Sequence, residues 1–457
     1  MVRRALQALQ AGHLDEAEHL VAAAIADDPT SIAALHVGGL VAHARGEHAT
    51  AVARLRRAAD LAPDHAALAV NLGHALAAHG AEDGALAAYE RARKDPSVAA
   101  HAALGVATLR RRRGELEPAI AAYASALEAG LETVEVWNGL GLALAEDGRL
   151  VEAEIAYRSA LSVDDRVAAV HVNLGNALAD QGRAREAIAA FEAAIERDPR
   201  EPAAWFDLFA ARWDDAPAAA EACLVRALDA RADHVLARFH LGAIAALRGD
   251  HERAAPLLEG TPEHLASSLA FVLALEPRPR LFANGFRVLE AALAESKIDG
   301  LVLELGVRRG VSIDFLAARV DGLVHGFDSF EGLPTEWGAR PVGAYTTRGE
   351  LPAVRENVRL HVGWFRDTLG PFVAEHPGPI RFVNVDCDLY ASTRDAFAIL
   401  APRFVPGTVL VFDEYLCNPG WQDEEHRALV EAAAEHGFAY DTLMVSLFSR
   451  QLVARVR

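Results

Sequence analysis

The sequence predicts a multidomain chain of two architectures: an all-α stack of helical hairpins, then an α/β domain built on a mostly parallel sheet. Three observations carry this. Glycine recurs every 34 residues through the first 182 positions, apolar runs of strand length alternate with helical stretches from Leu301 onward, and prolines cluster between the two regimes. A chain of 457 residues is also too long for a single core.

The repeating part rests on Gly12, Gly46, Gly80, Gly114, Gly148 and Gly182, each 34 residues after the one before. Five residues beyond each lies an alanine, from Ala17 to Ala187. A large apolar side chain follows four later, at Val21, Leu55, Tyr89, Tyr123, Tyr157 and Phe191, and a small one three later, from Ala24 to Ala194. The glycine lets the chain turn between two helices, the alanines permit close helix approach, and the large side chain fills the space that remains. Pro29, Pro63 and Pro199 stop second helices. The period weakens after Pro199, where Ala216 stands in place of the expected glycine although Trp205 keeps a first-helix aromatic. It recovers at Leu241, Gly242, Gly249 and Ala254, one residue short of register. With Leu72-Gly73, Leu140-Gly141 and Leu174-Gly175 in first helices, this pattern resembles the tetratricopeptide repeat family. The resemblance implies seven clear units and one degenerate one over residues 1–260, a solenoid whose groove takes a protein or peptide. His36, His74, His101 and His171 recur in first helices without a carboxylate or cysteine at metal spacing, and are read as groove or packing residues.

Composition narrows the function classes. A formal charge of −19 argues against nucleic acid, and the basic runs Arg110–Arg113 and Arg3–Arg4 read as solvated helix ends. No apolar stretch reaches the roughly 18 residues of a membrane span, and the first ten residues form an amphipathic helix instead of a secretory signal. Cys223, Cys387 and Cys417 have neither disulfide nor metal spacing, so a cytoplasmic location is expected. A linker is expected over 261–284, where Pro262, Pro277 and Pro279 interrupt the helical period, with the α/β domain at 285–457.

Within that domain, strands are expected at Leu301–Leu305, Leu323–Phe327, Val358–Val362, Arg381–Val385 and Val409–Phe412, with helices over Val311–Val320, Thr393–Leu400 and Glu424–His436. Leu443–Phe448 and Gln451–Val456 close the sheet as an antiparallel hairpin. In such a sheet ligands bind at the carboxyl ends of strands, and polar residues gather there. The first strand runs into Glu304-Leu-Gly306-Val-Arg-Arg-Gly310-Val-Ser312, whose glycines permit a tight turn with close backbone approach to a ligand. The second ends in Asp328, a carboxylate able to accept both ribose hydroxyls of an adenosine cofactor. The fourth and fifth end in Asp386-Cys-Asp388 and Asp413-Glu414, which adjacent strands bring to one edge. Clustered carboxylates suit a hard divalent cation such as Mg²⁺; they also suit loop capping. Trp337–Leu351, with three glycines, reads as a mobile lid.

These blocks together, with G-F-D-S-F-E-G-L-P at 326–334, V-G-W-F-x-D-T-L at 362–369, D-C-D-L-Y at 386–390 and V-F-D-E-Y at 411–415, resemble the macrocin O-methyltransferase family. The resemblance covers about Leu301 to Leu429 and implies a Rossmann-like class I methyltransferase domain that uses S-adenosylmethionine and Mg²⁺. By it, Glu304 and Gly306 lie beside the methionine part of the cofactor, Asp328 on the ribose, and Gly363, Trp364 and Phe365 near the adenine, with Gly310 and Ser329 also among the cofactor-binding residues. Asp386, Asp413 and Glu414 would hold the metal. Catalysis would rest on Asp413, Glu414 and His426, with Glu414, His426 or Asp388 as general base. Glu414 departs from the family's usual aspartate, and the repeats are no part of those enzymes, so the acceptor is left open as a hydroxyl-bearing molecule such as a glycan or glycosylated macromolecule. Two other functions fit parts of the pattern: a repeat scaffold carrying an inactive Rossmann-like domain, and an NAD-dependent oxidoreductase. The second lacks the dinucleotide fingerprint.

Overall fold

The computed structural model describes all residues, Met1 to Arg457. By internal packing the chain divides into two compact units, Met1–Arg166 and Val167–Arg457.

The first unit is helical throughout: α1 (Val2–Gln10), α2 (Leu14–Asp27), α3 (Ile32–Ala44), α4 (His48–Leu61), α5 (Ala66–Ala78), α6 (Glu82–Ala92), α7 (Ala99–Arg112), α8 (Leu116–Glu128), α9 (Val134–Glu146) and α10 (Leu150–Val163). They pair as successive antiparallel hairpins. Gly12, Gly46, Gly80, Gly114 and Gly148 sit at the turns with φ between 72° and 82°, a left-handed conformation that side-chain-bearing residues disfavour. A second set of glycines inside first helices makes room for the large residue of the following helix. A methyl group at Gly73 would stand 2.5 Å from the Tyr89 ring, and one at Gly141 2.5 Å from the Tyr157 ring. Tyr89 and Tyr157 are fully buried as a result.

The second unit opens with the remaining repeats, α11 (Ala168–Ala179), α12 (Ala184–Arg197), α13 (Pro202–Trp213), α14 (Pro217–Ala230), α15 (Val235–Leu247) and α16 (His251–Leu258), followed by α17 (Glu263–Ala274). Residues 261–284 therefore carry a helix, and also a short strand, β1 (Arg280–Leu281). The irregular turn before Ala216 has a use of its own: Asp214 accepts hydrogen bonds from the backbone N–H groups of Ala283 (3.1 Å) and Asn284 (3.0 Å), anchoring the α/β portion to the last repeats.

The remaining elements alternate: α18 (Gly285–Glu295), β2 (Leu301–Leu305), α19 (Val311–Ala317), β3 (Val324–Asp328), β4 (Val358–Val362), α20 (Phe365–Glu375), β5 (Ile380–Val385), α21 (Tyr390–Leu400), β6 (Phe404–Phe412), α22 (Glu425–His436), β7 (Tyr440–Val445) and β8 (Leu452–Val456). They form one sheet in the order β1-β7-β8-β6-β5-β2-β3-β4. Strands β6, β5, β2, β3 and β4 are parallel, and β8 runs antiparallel to both β6 and β7, closing the sheet with the expected hairpin. Val405-Pro406-Gly407 forms an irregularity within β6, where the register against β5 jumps from Phe404 to Val409. Apolar side chains fill both faces. Leu303, Phe327, Val383 and Phe412 pack toward Leu369, Phe397 and Leu429, while Val302, Val324, Phe382 and Val411 pack toward Val288, Leu289, Ile313 and Leu316.

Candidate functional site

The chain runs outward from β2 to β3 and β4 on one side and from β5 to β6 on the other, so the topology reverses between β2 and β5. The crevice above such a reversal is where open α/β sheets bind ligands. Here the two neighbouring strand-end loops pack very closely. A Cβ on Gly306 would lie 1.7 Å from the carbonyl oxygen of Asp386, so the position tolerates only glycine, which takes φ 91° there.

A cavity of about 350 Å³ opens above this point. One half is lined by Gly306, Arg308, Asp328, Ser329 and the run Gly363-Trp364-Phe365; the other by Asp386, Cys387, Asp388, Ser392, Asp413 and Glu414; and Leu333, Pro334 and Tyr345 form a wall. The strand-end residues expected from sequence thus meet in one space. Asp328 also holds the glycine turn in place: it accepts from the backbone N–H groups of Val307 (2.8 Å), Arg308 (2.7 Å) and Phe330 (2.7 Å). Oδ2 takes the first two bonds and Oδ1 the third, so Oδ1 keeps a second lone pair for a ligand hydroxyl.

Three expected residues lie outside the lining. Glu304 is fully buried beneath the turn, accepting from the Ser312 hydroxyl (2.9 Å) and the Asn384 amide (3.2 Å), and burial pushes its carboxyl up to about 8. Gly310 heads α19 in a left-handed conformation. His426 is turned to the Tyr415 hydroxyl (2.8 Å) and packed among Phe271, Tyr415 and Trp421, so it does not face the cavity. The segment Trp337–Leu351 is tied down: Leu333 N–H donates to Ala344 and Gly343 N–H to Leu333, while the Tyr345 ring lies 4.9 Å from the Arg308 guanidinium.

The acidic half is electrostatically tense. Burial raises the carboxyl of Asp386, and the charges of Asp413 and Asp388 raise it further. Burial likewise pushes Asp388 up to about 7, with Glu414 and Asp413 adding to the shift. Asp413 is raised by burial and partly relieved by the Gln451 side-chain amide, which donates to it at 2.5 Å. Glu414 is committed elsewhere: its Oε2 lies 2.9 Å from the Arg450 guanidinium and 2.6 Å from the Asn418 amide. The donors are all oxygen, which suits a hard cation. No three His, Cys, Asp or Glu side chains converge so as to hold a metal ion, however, and the expected set of Asp386, Asp413 and Glu414 is not assembled while Glu414 faces Arg450.

Sequence reasoning missed Arg308, Tyr345 and Ser392, and it missed Glu425. Glu425 is fully buried at the start of α22, neither carboxyl oxygen has a hydrogen-bond partner, and the charges of Asp388, Asp413 and Glu414 all reach it. Nothing marks it in the sequence, because only the packing of α22 against α21 brings it beside these acids.

Residues 303–415 match the family described as methyltransferase domain, and residues 38–99, 104–168, 172–208 and 215–263 match tetratricopeptide repeat. The chain thus carries tetratricopeptide repeats followed by a C-terminal methyltransferase domain. Among curated proteins it is 34% identical over 153 residues to an 8-demethyl-8-(2,3-dimethoxy-alpha-L-rhamnosyl)-tetracenomycin-C 4'-O-methyltransferase of Streptomyces olivaceus, covering 28% of this chain and 57% of that protein. It is 28% identical over 165 residues to the mycinamicin III 3''-O-methyltransferase of Micromonospora griseorubida, covering 30% and 63%. The chain therefore spans less than two thirds of these relatives' length. Similar solved structures include the TPR protein YrrB, described as having an unusual peptide-binding site (24% identity, 40% of this chain, 95% of that one, TM-score 0.36). Another is the calicheamicin methyltransferase CalS11 (22% identity, 45% and 92%, TM-score 0.33). No helix of this chain is long and apolar enough to cross a membrane.

Proposed function

We propose that the chain is an S-adenosylmethionine-dependent O-methyltransferase acting on a hydroxyl of a sugar or similar diol. The observation that supports this best is the two-sided cavity at the topological reversal: a glycine turn, Asp328 and Gly363-Trp364-Phe365 on one side, and a group of acids on the other. The cofactor, when bound, supplies a methyl group on a positively charged sulfur. Asp328 and Ser329 would take the ribose hydroxyls, Gly306 would let the backbone approach the methionine part, and Trp364 and Phe365 would flank the adenine. Glu304 and Gly310 would act beneath, by shaping the turn. Methylation requires the acceptor hydroxyl to lose its proton, and a carboxylate at the acidic wall would take it. Asp388 or Asp413 would serve as this base; His426 would have to leave its aromatic packing.

Mg²⁺ belongs to this reading. Asp386 and Asp413 would hold it, Glu414 would join only by releasing Arg450 and Asn418, and the ion would lower the pKa of the acceptor hydroxyl and orient it. The repeats, residues 1–260 in this proposal, dock the acceptor or a protein partner, the segment 261–284 connects them to the methyltransferase part, and the three free cysteines suit a reducing cytoplasm. Calorimetry with S-adenosylmethionine, S-adenosylhomocysteine and NAD tests the core of the reading. Binding of the first two without NAD supports it, whereas NAD binding alone would return the chain to the oxidoreductases. Methyl transfer that persists in excess chelator would remove Mg²⁺ from it.

A further inference from the structure

The cavity above the topological reversal is crowded with negative charge. Its lining holds five carboxylates, Asp328, Asp386, Asp388, Asp413 and Glu414, and a single basic side chain, Arg308. A methyl donor built on methionine ends in a zwitterion, and such a lining treats the two charges differently: it attracts the α-ammonium group and repels the α-carboxylate unless a cation stands among the acids. Arg308 is that cation, half-buried and two residues beyond Gly306, in the turn that would meet the methionine part.

Arg308 takes φ 47°, a left-handed conformation rare for a residue with a side chain, and its N–H donates to Asp328 Oδ2 at 2.7 Å, which keeps it there. Its guanidinium lies 4.9 Å from the centroid of the Tyr345 ring, a cation–π contact. Tyr345 is left-handed as well, at φ 65°, and sits between two anchored neighbours. The Ala344 carbonyl accepts from Leu333 N–H at 2.9 Å, and the Thr346 hydroxyl donates to the Phe330 carbonyl at 3.2 Å. Two strained residues from separate loops thus meet in the cavity lining, and strain of this kind persists where surrounding contacts fix it and gathers at binding sites.

We propose that Arg308 binds the α-carboxylate of the methyl donor and that Tyr345 positions the guanidinium for it. The proposal rests on the methyl-transfer reading above and adds a residue to its cofactor side. A guanidinium presents a planar fork of N–H donors that matches both oxygens of a carboxylate, and an aromatic face against it fixes the plane of the fork. The surrounding acids suit the α-ammonium group, so the zwitterion is matched at both charges. Its neighbour Arg309 is spent elsewhere, 3.1 Å from Glu350 and outside the cavity lining.

The test is calorimetry on the full chain with S-adenosylhomocysteine and with its carboxamide, in which a neutral amide replaces the α-carboxylate. The parent protein should prefer the acid to the amide by roughly ten- to a hundredfold, the range of a hydrogen-bonded charge pair. Arg308→Met should bind the two alike, at the parent's affinity for the amide and with the parent's melting temperature, and Arg308→Lys should keep part of the preference. Tyr345→Phe should keep it whole, and Tyr345→Leu should reduce it. A parent that does not discriminate, a preference that survives in Arg308→Met, or an equal loss on both ligands overturns the proposal, and an undiminished preference in Tyr345→Leu strikes Tyr345 from it. If Arg308→Met does not fold, Arg308→Lys decides in its place, and an undiminished preference there overturns the proposal. A folded parent that binds neither ligand removes instead the methyl-transfer reading on which it stands.

Discussion

The repeats and the methyltransferase domain achieve specificity in opposite ways. In the repeats, Leu55, Tyr89, Tyr157 and Phe191 meet Gly39, Gly73, Gly141 and Gly175 of the preceding helix, so the determinants of packing are local and periodic. In the α/β portion the determinants are distant in sequence: Gly306 is shaped around Asp386, Asp413 is held by Gln451, and Glu425 faces Asp388. A fold of the first kind absorbs damage unit by unit. The second concentrates its constraints where strands end, which is also where its chemistry gathers.

The sharpest way to break that contrast is at the acidic wall. Asp413→Asn should lower single-turnover methyl transfer by roughly 10²- to 10⁴-fold, the span of general acid–base effects, while calorimetry finds cofactor affinity unchanged. A loss of affinity equal to the loss of rate would mean that the two halves of the cavity are not separable. Next in size, Asp328→Ala should weaken S-adenosylmethionine binding by about 1.5 to 3 kcal/mol, partly directly and partly by freeing the turn whose N–H groups it holds.

On the repeat side, Gly141→Ala forces a methyl group to 2.5 Å from the Tyr157 ring. Overpacking of this kind costs about 1 to 3 kcal/mol. Chemical denaturation followed by circular dichroism should show it, while cofactor affinity stays at the parent value; altered affinity would show that the repeats are coupled to the cofactor half.

The smallest effect expected is on pH dependence. Glu304 and Glu425 have carboxyls raised by burial, Glu304 to about 8. A carboxyl raised on folding binds its proton more tightly in the native state, so it lowers stability progressively as pH rises from the unfolded value, about 4.3, toward the folded one. The melting temperature should therefore fall between pH 5 and pH 8, and Glu425→Gln should flatten the decline. A steeper decline in that variant would mean that Glu425 is ionised and held by a partner.

The same contrast governs what was legible in the sequence. The 34-residue glycine period gave the helical hairpins directly, and apolar runs of strand length located β2, β3, β4 and β5 within a residue or so. Asp328, Asp386, Asp388 and Asp413 were legible as site residues because strand ends converge by topology alone. Helix α20 and helix α17 were not read, since Pro371 and the flanking prolines of 262–279 mask their periods. Glu425, Tyr345 and the pairing of Glu414 with Arg450 follow from tertiary packing, which leaves no local periodicity.

The contact between Gly306 and the Asp386 carbonyl has a mechanical meaning. The loop that would grip the cofactor and the loop that carries the first acid are in gear: with less than the breadth of a methyl group between them, neither can shift without pushing the other. A ligand that displaced the first loop would therefore be felt at the second, through this one backbone contact.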